Sequence, residues 1–303
     1  MATLSAPRRQ PGPWPFAAPG ILLLLVFLIV PFLLSFALSF TDQRLVSSPD
    51  LPTRIVGLRN YHRLLGDESF WAALRNNCLF VAVVVPLQSA FALVLALLVN
   101  RKLRGRTLFR TIYFMPVATT MAVVAVVWSF LYSPDAGVIN RLLQLLSFGA
   151  FTARDWLRDP VLVMPAVMLL SIWQGVGFQM LVFLAGLQSI PVDLYEASDL
   201  DGAGPFRQFL HITLPMLRNT TIFVLITTTI YAFQLFTQVQ ILASSGSPAP
   251  ADSYRTMVLL LVQEGFRNGR IGYASAISVV FFVIVLALSL LQRAVVKEER
   301  AVR

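Results

Sequence analysis

Four polar side chains recur in an otherwise apolar stretch at intervals of four, three and four residues: Thr227, Tyr231, Gln234 and Gln238. On a helix these intervals place all four on one face. None is charged, yet each offers hydrogen-bond donors or acceptors, which suit a neutral hydroxyl-bearing solute better than an ion. The stripe therefore predicts the lining of a substrate pathway. Hydrogen bonding between neighbouring helices, worth about 0.6 kcal/mol per contact, is an equally supported alternative.

The sequence offers no set of residues for catalysis or for metal binding. Its histidines are His62 and His211, and its one cysteine is Cys78. Too few ligands are present for a zinc site, and an intrachain disulfide is excluded. No Gly-Lys dipeptide occurs, so there is no P-loop of the Walker A type. We therefore expect no catalytic residue, no metal site and no cofactor bound by this chain.

A second polar segment, between Pro191 and Pro215, is acidic and patterned like two short helices. Asp193 is placed to cap the first helix, with Glu196 three residues later completing a capping box. Gly202 supplies the break, and Pro205 suits the first turn of the second helix. Pro215 is expected to end that helix, because the residue before a proline is disfavoured in the α region. The segment predicts a helix–turn–helix.

The composition shows what must position these residues. Hydrophobic residues make up 57% of the 303 residues and charged residues only 13%, which indicates an all-α polytopic membrane protein. All 24 basic and 15 acidic residues fall outside six apolar stretches long enough to span a bilayer. These predicted spans are residues 16–40, 77–99, 111–132, 161–188, 220–242 and 272–292. Gln88 in the second span and Trp173-Gln174 in the fourth are weaker candidates for the pathway.

The short link between the second and third spans decides the orientation. Arg101, Lys102, Arg104, Arg106 and Arg110 lie there within ten residues that contain no acid. Basic short loops face the cytoplasm, and an even number of spans then places both termini inside. The predicted organisation is a tail over 1–15, one transmembrane domain over 16–293 with a cytoplasmic loop over 189–218, and a tail over 294–303.

The acidic loop also carries a family resemblance. Glu196-Ala197-Ser198, three residues, Gly202, nine residues and then Ile212-Thr213-Leu214-Pro215 resembles the EAA loop of bacterial ABC importer permeases. The core departs from the family only at Ser198, where a second alanine is usual. Flanking segments such as 187–191 and 272–276 are similar to the carbohydrate-uptake branch, of the maltose and glycerol-3-phosphate type. Ser245-Gly246-Ser247-Pro248 departs from its usual Gly-Gly-Pro turn.

The resemblance implies a subunit without catalysis of its own, in the bacterial inner membrane. Its loop would seat as a coupling helix on a separate ATPase subunit that uses ATP and Mg. The residues implied in ATPase coupling are Glu196, Ala197, Ser198, Asp201, Gly202, Ile212, Leu214 and Pro215. The implied partners are a second permease, an ATPase dimer, an extracytoplasmic solute-binding protein and the lipid membrane. The implied substrate is a sugar, an oligosaccharide or a glycerol-phosphate derivative.

Two other classes are compared with this interpretation. An ion-coupled secondary transporter or channel usually carries ionisable residues within its spans, and the predicted spans have none. A membrane-embedded enzyme would need a nucleophile and base, or metal ligands, at membrane depth. The positive charge, +9 at pH 7, is concentrated in loops that face an anionic leaflet, so no nucleic-acid partner is expected.

Overall fold

The computed structural model describes residues 14–46, 52–101, 105–135, 137–244 and 249–295. The predicted tails lie largely outside these ranges, as do residues 102–104 of the basic link and the 245–248 departure. Within the described residues all regular structure is helical, apart from an isolated antiparallel bridge between Thr41 and Ile55. The all-α prediction is confirmed.

Among the residues that the structure describes, five helical segments are long and apolar enough to cross a bilayer. They are α1 (Phe16–Leu38), α3 (Glu68–Asn100), α7 (Val163–Gln188), the segment Arg218–Leu242, and α14 (Ile271–Val295). Shorter helices connect them: α2 (Arg59–Leu65), α6 (Val138–Leu146), α12 (Ala251–Tyr254) and α13 (Met257–Val262). The segment Arg218–Leu242 is interrupted, and comprises α10 (Arg218–Phe233) and α11 (Thr237–Ser244).

The predicted third span is divided into two helices. It consists of α4 (Arg106–Ala118) and α5 (Met121–Leu131), which meet at 98°. Thr119 and Thr120 between them are extended, with ψ of 139° and 140°. Pro116 removes one backbone donor from the end of α4, and β-branched threonines are weak helix formers. If the bent pair counts as one span, the total is the six that were predicted.

The centre of the protein is the pair α3 and α7, and each of them carries more buried residues than any other described helix. Close approach of α4 to α7 occurs at Gly177, where a Cβ atom would lie 2.1 Å from the carbonyl oxygen of Tyr113. The first span, α1, is exposed instead: none of the residues in its most hydrophobic stretch is buried. Within the described residues it packs near its end, where the rings of Phe32 and Phe282 lie 4.7 Å apart. Its remaining surface is free for lipid or for another subunit.

Candidate functional site

A cavity of about 470 Å³ lies where α3, α7, α10 and α11 meet the break between α4 and α5. Val117 and Met121, one on each side of that break, form part of its wall. The cavity therefore depends on the bend that the sequence did not predict. Its polar lining consists of Gln88, Ser171, Gln174, Gln179, Thr228, Tyr231, Gln234, Thr237 and Gln238. None of the described residues that line it is charged.

Three of the four residues of the predicted polar stripe line this cavity: Tyr231, Gln234 and Gln238. Thr227 is not among the residues that line it, and its place in the pathway stays a prediction. Its hydroxyl donates to the carbonyl oxygen of Phe223 on its own helix, at 2.7 Å. Thr228, one residue later, lines the cavity instead. Both threonines are compatible with a helical face that includes Tyr231, so spacing alone did not distinguish them.

The stripe is also not one continuous helix. Gln234 ends α10 with a non-helical ψ of 16°, and α11 begins at Thr237. The side chains of Tyr231 and Gln234 are exposed to the cavity, with 69% of Tyr231 accessible. Side chains whose main role is to join two helices would be buried between them. These two side chains therefore do not join helices within the described chain, and both line the cavity.

Sequence reasoning missed the lining residues Ser171 and Gln179 on α7. Together with Gln174 they lie at three- and five-residue intervals. On a helix these intervals spread the three side chains over about 140°, so spacing alone did not group them on one narrow face. Gln179 bonds across to Thr228, and Gln238 bonds across to Ser171 at 3.3 Å. These two hydrogen bonds join α7 to the two halves of the interrupted span. Of the weaker candidates from the sequence, Gln88 and Gln174 also line the cavity, whereas Trp173 does not and packs against Trp128.

The acidic loop folds as two helical arms, as predicted, with Gly202 at the turn. The first arm is α8 (Val192–Leu200). Gly202 has φ +73°, and the amides of Gly202 and Ala203 donate to the carbonyl oxygens of Asp199 and Ser198. This is the Schellman arrangement, which needs a left-handed residue and so favours glycine. The second arm begins with α9 (Pro205–Gln208), and Pro205 occupies its first turn.

The predicted capping box is wrong. Pro191, with φ −58° and ψ 132°, is the N-cap of α8, and no side-chain cap bond forms there. Asp193 is already the second helical residue and Glu196 the fifth, so neither is placed to cap. The extended conformation that proline favours starts the helix two residues earlier than the acidic pattern suggested. The carboxylate of Glu196 is left on an exposed surface.

Pro215 does not end the second arm, contrary to the prediction. Leu214 remains helical, with φ −65° and ψ −43°. A π turn, Phe209–Thr213, precedes it, and the amide of Leu214 donates to the carbonyl oxygen of Phe209, five residues back. The wider turn relieves the clash between a proline ring and the carbonyl four residues earlier. The same arrangement precedes Pro31 in α1, where the π turn is Leu25–Ile29.

Three side-chain hydrogen bonds hold the arms of the loop together. The amide nitrogen of Gln208 donates to the hydroxyl of Ser198 at 2.9 Å and to the carboxylate of Asp199 at 2.6 Å. The hydroxyls of Tyr195 and Thr213 lie 2.9 Å apart. Ser198, the departure from the family core, is therefore used in joining the arms.

The motif residues of the loop form an open surface with apolar tips. Glu196, Ala197, Asp201, Gly202, Leu214 and Pro215 are exposed, while Ser198 and Ile212 are half-buried. Leu200 is 92% exposed and Phe206 is 74% exposed. Exposed apolar side chains next to acidic groups indicate a docking surface for another protein.

Comparison with known proteins identifies the class. Residues 88–300 match the model of the family described as "Binding-protein-dependent transport system inner membrane component". The probable ABC transporter permease protein YurN of Bacillus subtilis is 36% identical, over 92% of this chain and 94% of that protein. The lactose transport system permease protein LacF of Rhizobium radiobacter is 34% identical, over 95% of this chain and 94% of LacF.

A third relative is the trehalose/maltose transport system permease protein MalF of Thermococcus litoralis. It is 35% identical, over 90% of this chain and 89% of MalF. Among solved structures, a bacterial alginate ABC transporter in complex with an alginate-pentasaccharide-bound periplasmic protein has a chain with the same fold. Its TM-score is 0.78 at 22% identity, and the match covers 95% of this chain and 96% of that one.

The chain belongs to the binding-protein-dependent transport system inner membrane components, the permease subunits of ABC importers. It is a transmembrane subunit without catalysis of its own, and ATP hydrolysis belongs to a separate ATPase subunit. The alternative of an ion-coupled secondary transporter or channel is set aside. The resemblance seen in the EAA loop is confirmed.

Proposed function

We propose that this permease imports a neutral sugar or oligosaccharide through the cavity between α7 and the interrupted span. One observation carries the proposal: the cavity is lined by amides and hydroxyls, and no described lining residue is charged. Amide and hydroxyl groups match the hydroxyls of a sugar. A phosphate would normally be met by arginine, lysine or a helix N-terminus, so this lining favours a sugar over a glycerol phosphate. The lactose and trehalose/maltose permeases among the relatives support the same class.

We propose further that two permeases pair above an ATPase dimer. The uncovered α1 supports a second permease, because a helix of which no part is buried has room for a neighbouring subunit. The exposed tips Leu200 and Phe206, with the acid Glu196, support docking of the 189–218 loop on the ATPase. ATP and Mg are bound there and not by this chain. An extracytoplasmic solute-binding protein delivers the sugar on the opposite side of the membrane.

The proposed orientation places both termini and the 189–218 loop in the cytoplasm. Five basic residues between Arg101 and Arg110 support it, since basic short loops remain on that side. The segments that follow α1, α5 and α11 then face outward.

The test compares cavity residues with a neighbour that does not line the cavity. Gln234→Leu and Tyr231→Leu are expected to lower sugar uptake in proteoliposomes that contain the complete importer and its binding protein. Subunit assembly and basal ATP hydrolysis are expected to persist. Thr227→Val is the matched control, because that hydroxyl bonds only to its own helix. Equal uptake by all three variants and the wild type would exclude this cavity as the pathway. Dissociation of the complex in the cavity variants alone would favour a structural role.

A further inference from the structure

Two glutamines of the cavity are held with a fixed amide orientation. The hydroxyl of Thr228 has a single hydrogen, which it donates to the carbonyl oxygen of Val224 at 2.6 Å. Towards Gln179 the hydroxyl can therefore only accept, and it accepts from the amide nitrogen of Gln179 at 2.5 Å. The amide oxygen of Gln179 is consequently turned away from Thr228. That oxygen has no hydrogen-bond partner among the described residues, and Gln179 is only 5% exposed.

The same arrangement recurs on the other side of the cavity. Ser171 donates its single hydroxyl hydrogen to the carbonyl oxygen of Val167 at 2.7 Å. Its oxygen then accepts from the amide nitrogen of Gln238 at 3.3 Å. The amide oxygen of Gln238 receives no hydrogen bond from the described residues. In both pairs a hydroxyl donates to its own helix and accepts a hydrogen bond from the glutamine amide nitrogen. The amide oxygen of the glutamine is then available as an acceptor.

A buried hydrogen-bond acceptor without a donor costs free energy, and a bound ligand that donates a hydrogen bond to it removes this penalty. The buried oxygen of Gln179 has lost its contact with water without gaining a protein donor. An occupant that donates a hydrogen bond restores the loss, whereas one that presents another acceptor is repelled. Sugar hydroxyls are donors; carboxylates and phosphates at neutral pH are acceptors.

We infer that Gln179 and Gln238 select the substrate by accepting hydrogen bonds from its hydroxyls, and that Thr228 and Ser171 are positioning residues that lock both amides in the accepting orientation. The inference rests on the proposed function, because it requires the substrate to enter this cavity. It adds the direction of the hydrogen bonds to that function, because the site recognises sugar hydroxyls as donors. A substrate in which such a hydroxyl is replaced by fluorine keeps its size but cannot donate, so the site discriminates against it.

The experiment is a cycle that changes both the protein and the sugar. The probes are maltose, lactose, trehalose and melibiose, with glucuronate and glycerol 3-phosphate as anionic comparators, in reconstituted importer with its binding protein. The monodeoxyfluoro analogues of the best neutral probe are then compared in wild type and in Gln179→Leu. The binding protein is the same in every arm, so its own preference cancels in the ratio between variants.

For at least one hydroxyl, fluorine is expected to lower transport efficiency by about tenfold in wild type and to have little further effect in Gln179→Leu. Thr228→Val, which keeps the shape but removes the hydroxyl, should lose the same discrimination, whereas Thr228→Ser should retain it. Ser171→Ala and Gln238→Leu form the corresponding pair on the other side. This rescue by serine is not expected if Thr228 only fills space.

The outcomes separate the two proposals. Equal fluorine effects in wild type and in all variants, with Gln234→Leu still impaired in uptake, would overturn the acceptor inference alone. Unimpaired uptake in Gln234→Leu and Tyr231→Leu would remove the pathway itself. Transport of an anionic comparator without transport of any neutral probe would count against the inference. Failure to transport any of the probes would also count against it.

Discussion

The close contact between α4 and α7 leads to a prediction about Gly175 and Gly177, which are separated by one residue. A Cβ atom at Gly177 would lie 2.1 Å from the carbonyl oxygen of Tyr113 and 3.1 Å from the Cα atom of Phe114. Ordinary contacts of this kind begin near 3.4 Å, so Gly177→Ala must displace the backbone of α4 by about 1 Å. A backbone in a packed helix cannot swing aside as a side chain can.

The magnitude follows from two opposing effects. Overpacking of this kind costs about 1–3 kcal/mol, and alanine returns up to about 1 kcal/mol through its better helix propensity. A net loss of about 1–2 kcal/mol is expected for Gly177→Ala. The thermal unfolding midpoint of the purified protein in detergent should then fall by several degrees, since about 1 kcal/mol corresponds to about 2–4 °C in a chain of a few hundred residues.

Gly175→Ala is the matched control, because its new Cβ atom would meet the amide nitrogen of Gln88 at 2.3 Å. That group is the end of a flexible side chain and can turn away. The unfolding midpoint should change little, but sugar uptake should fall because Gln88 lines the cavity. A second control is Gly20→Ala, which has no heavy atom within 4 Å of the new carbon. Unchanged stability in Gly177→Ala, or a larger loss in Gly175→Ala, would refute the argument.

Three further predictions concern topology and coupling. In a Cys78-free background, a cysteine at Ser147 should react with an impermeant reagent added outside intact cells, and one at Gly105 should not; the reverse pattern would invert the proposed orientation. Because Glu196 caps no helix, Glu196→Gln should change only the charge of this side chain. We expect both Glu196→Gln and Glu196→Ala to insert normally and to lower ATP hydrolysis stimulated by the binding protein by about the same amount. Normal coupling in the glutamine variant would exclude a charged contact. Gly202→Val should destabilise the loop by about 1–2 kcal/mol through its left-handed φ of +73°, measured as weaker co-purification of the ATPase; binding at the wild-type level would show that the turn tolerates a side chain.

The membrane character and most of the span positions were determined by the sequence itself. A stretch of about 20 apolar residues without charge has few alternatives to a membrane helix, because its backbone must satisfy its own hydrogen bonds. The turn at Gly202 was also local information, since the left-handed conformation there favours glycine. The loop motif identified the family because its spacing reflects the contacts within one short segment.

The geometry of the site required the tertiary structure. The choice between Thr227 and Thr228 depends on how α10 is rotated against α7, and hydrophobic spacing is nearly the same for both. The bend at Thr119 and Thr120 could not be predicted, because a straight helix and a broken helix have the same apolar sequence pattern.

Gln179 shows most clearly what only the folded protein decides. Its sequence neighbours indicate no more than a polar residue in a span, whereas its orientation depends on Thr228, 49 residues away. Local propensity and hydropathy act over a few residues and set the helices. Side-chain hydrogen bonds between helices act over any separation along the chain, so which amide atom faces the cavity is decided only when the helices pack.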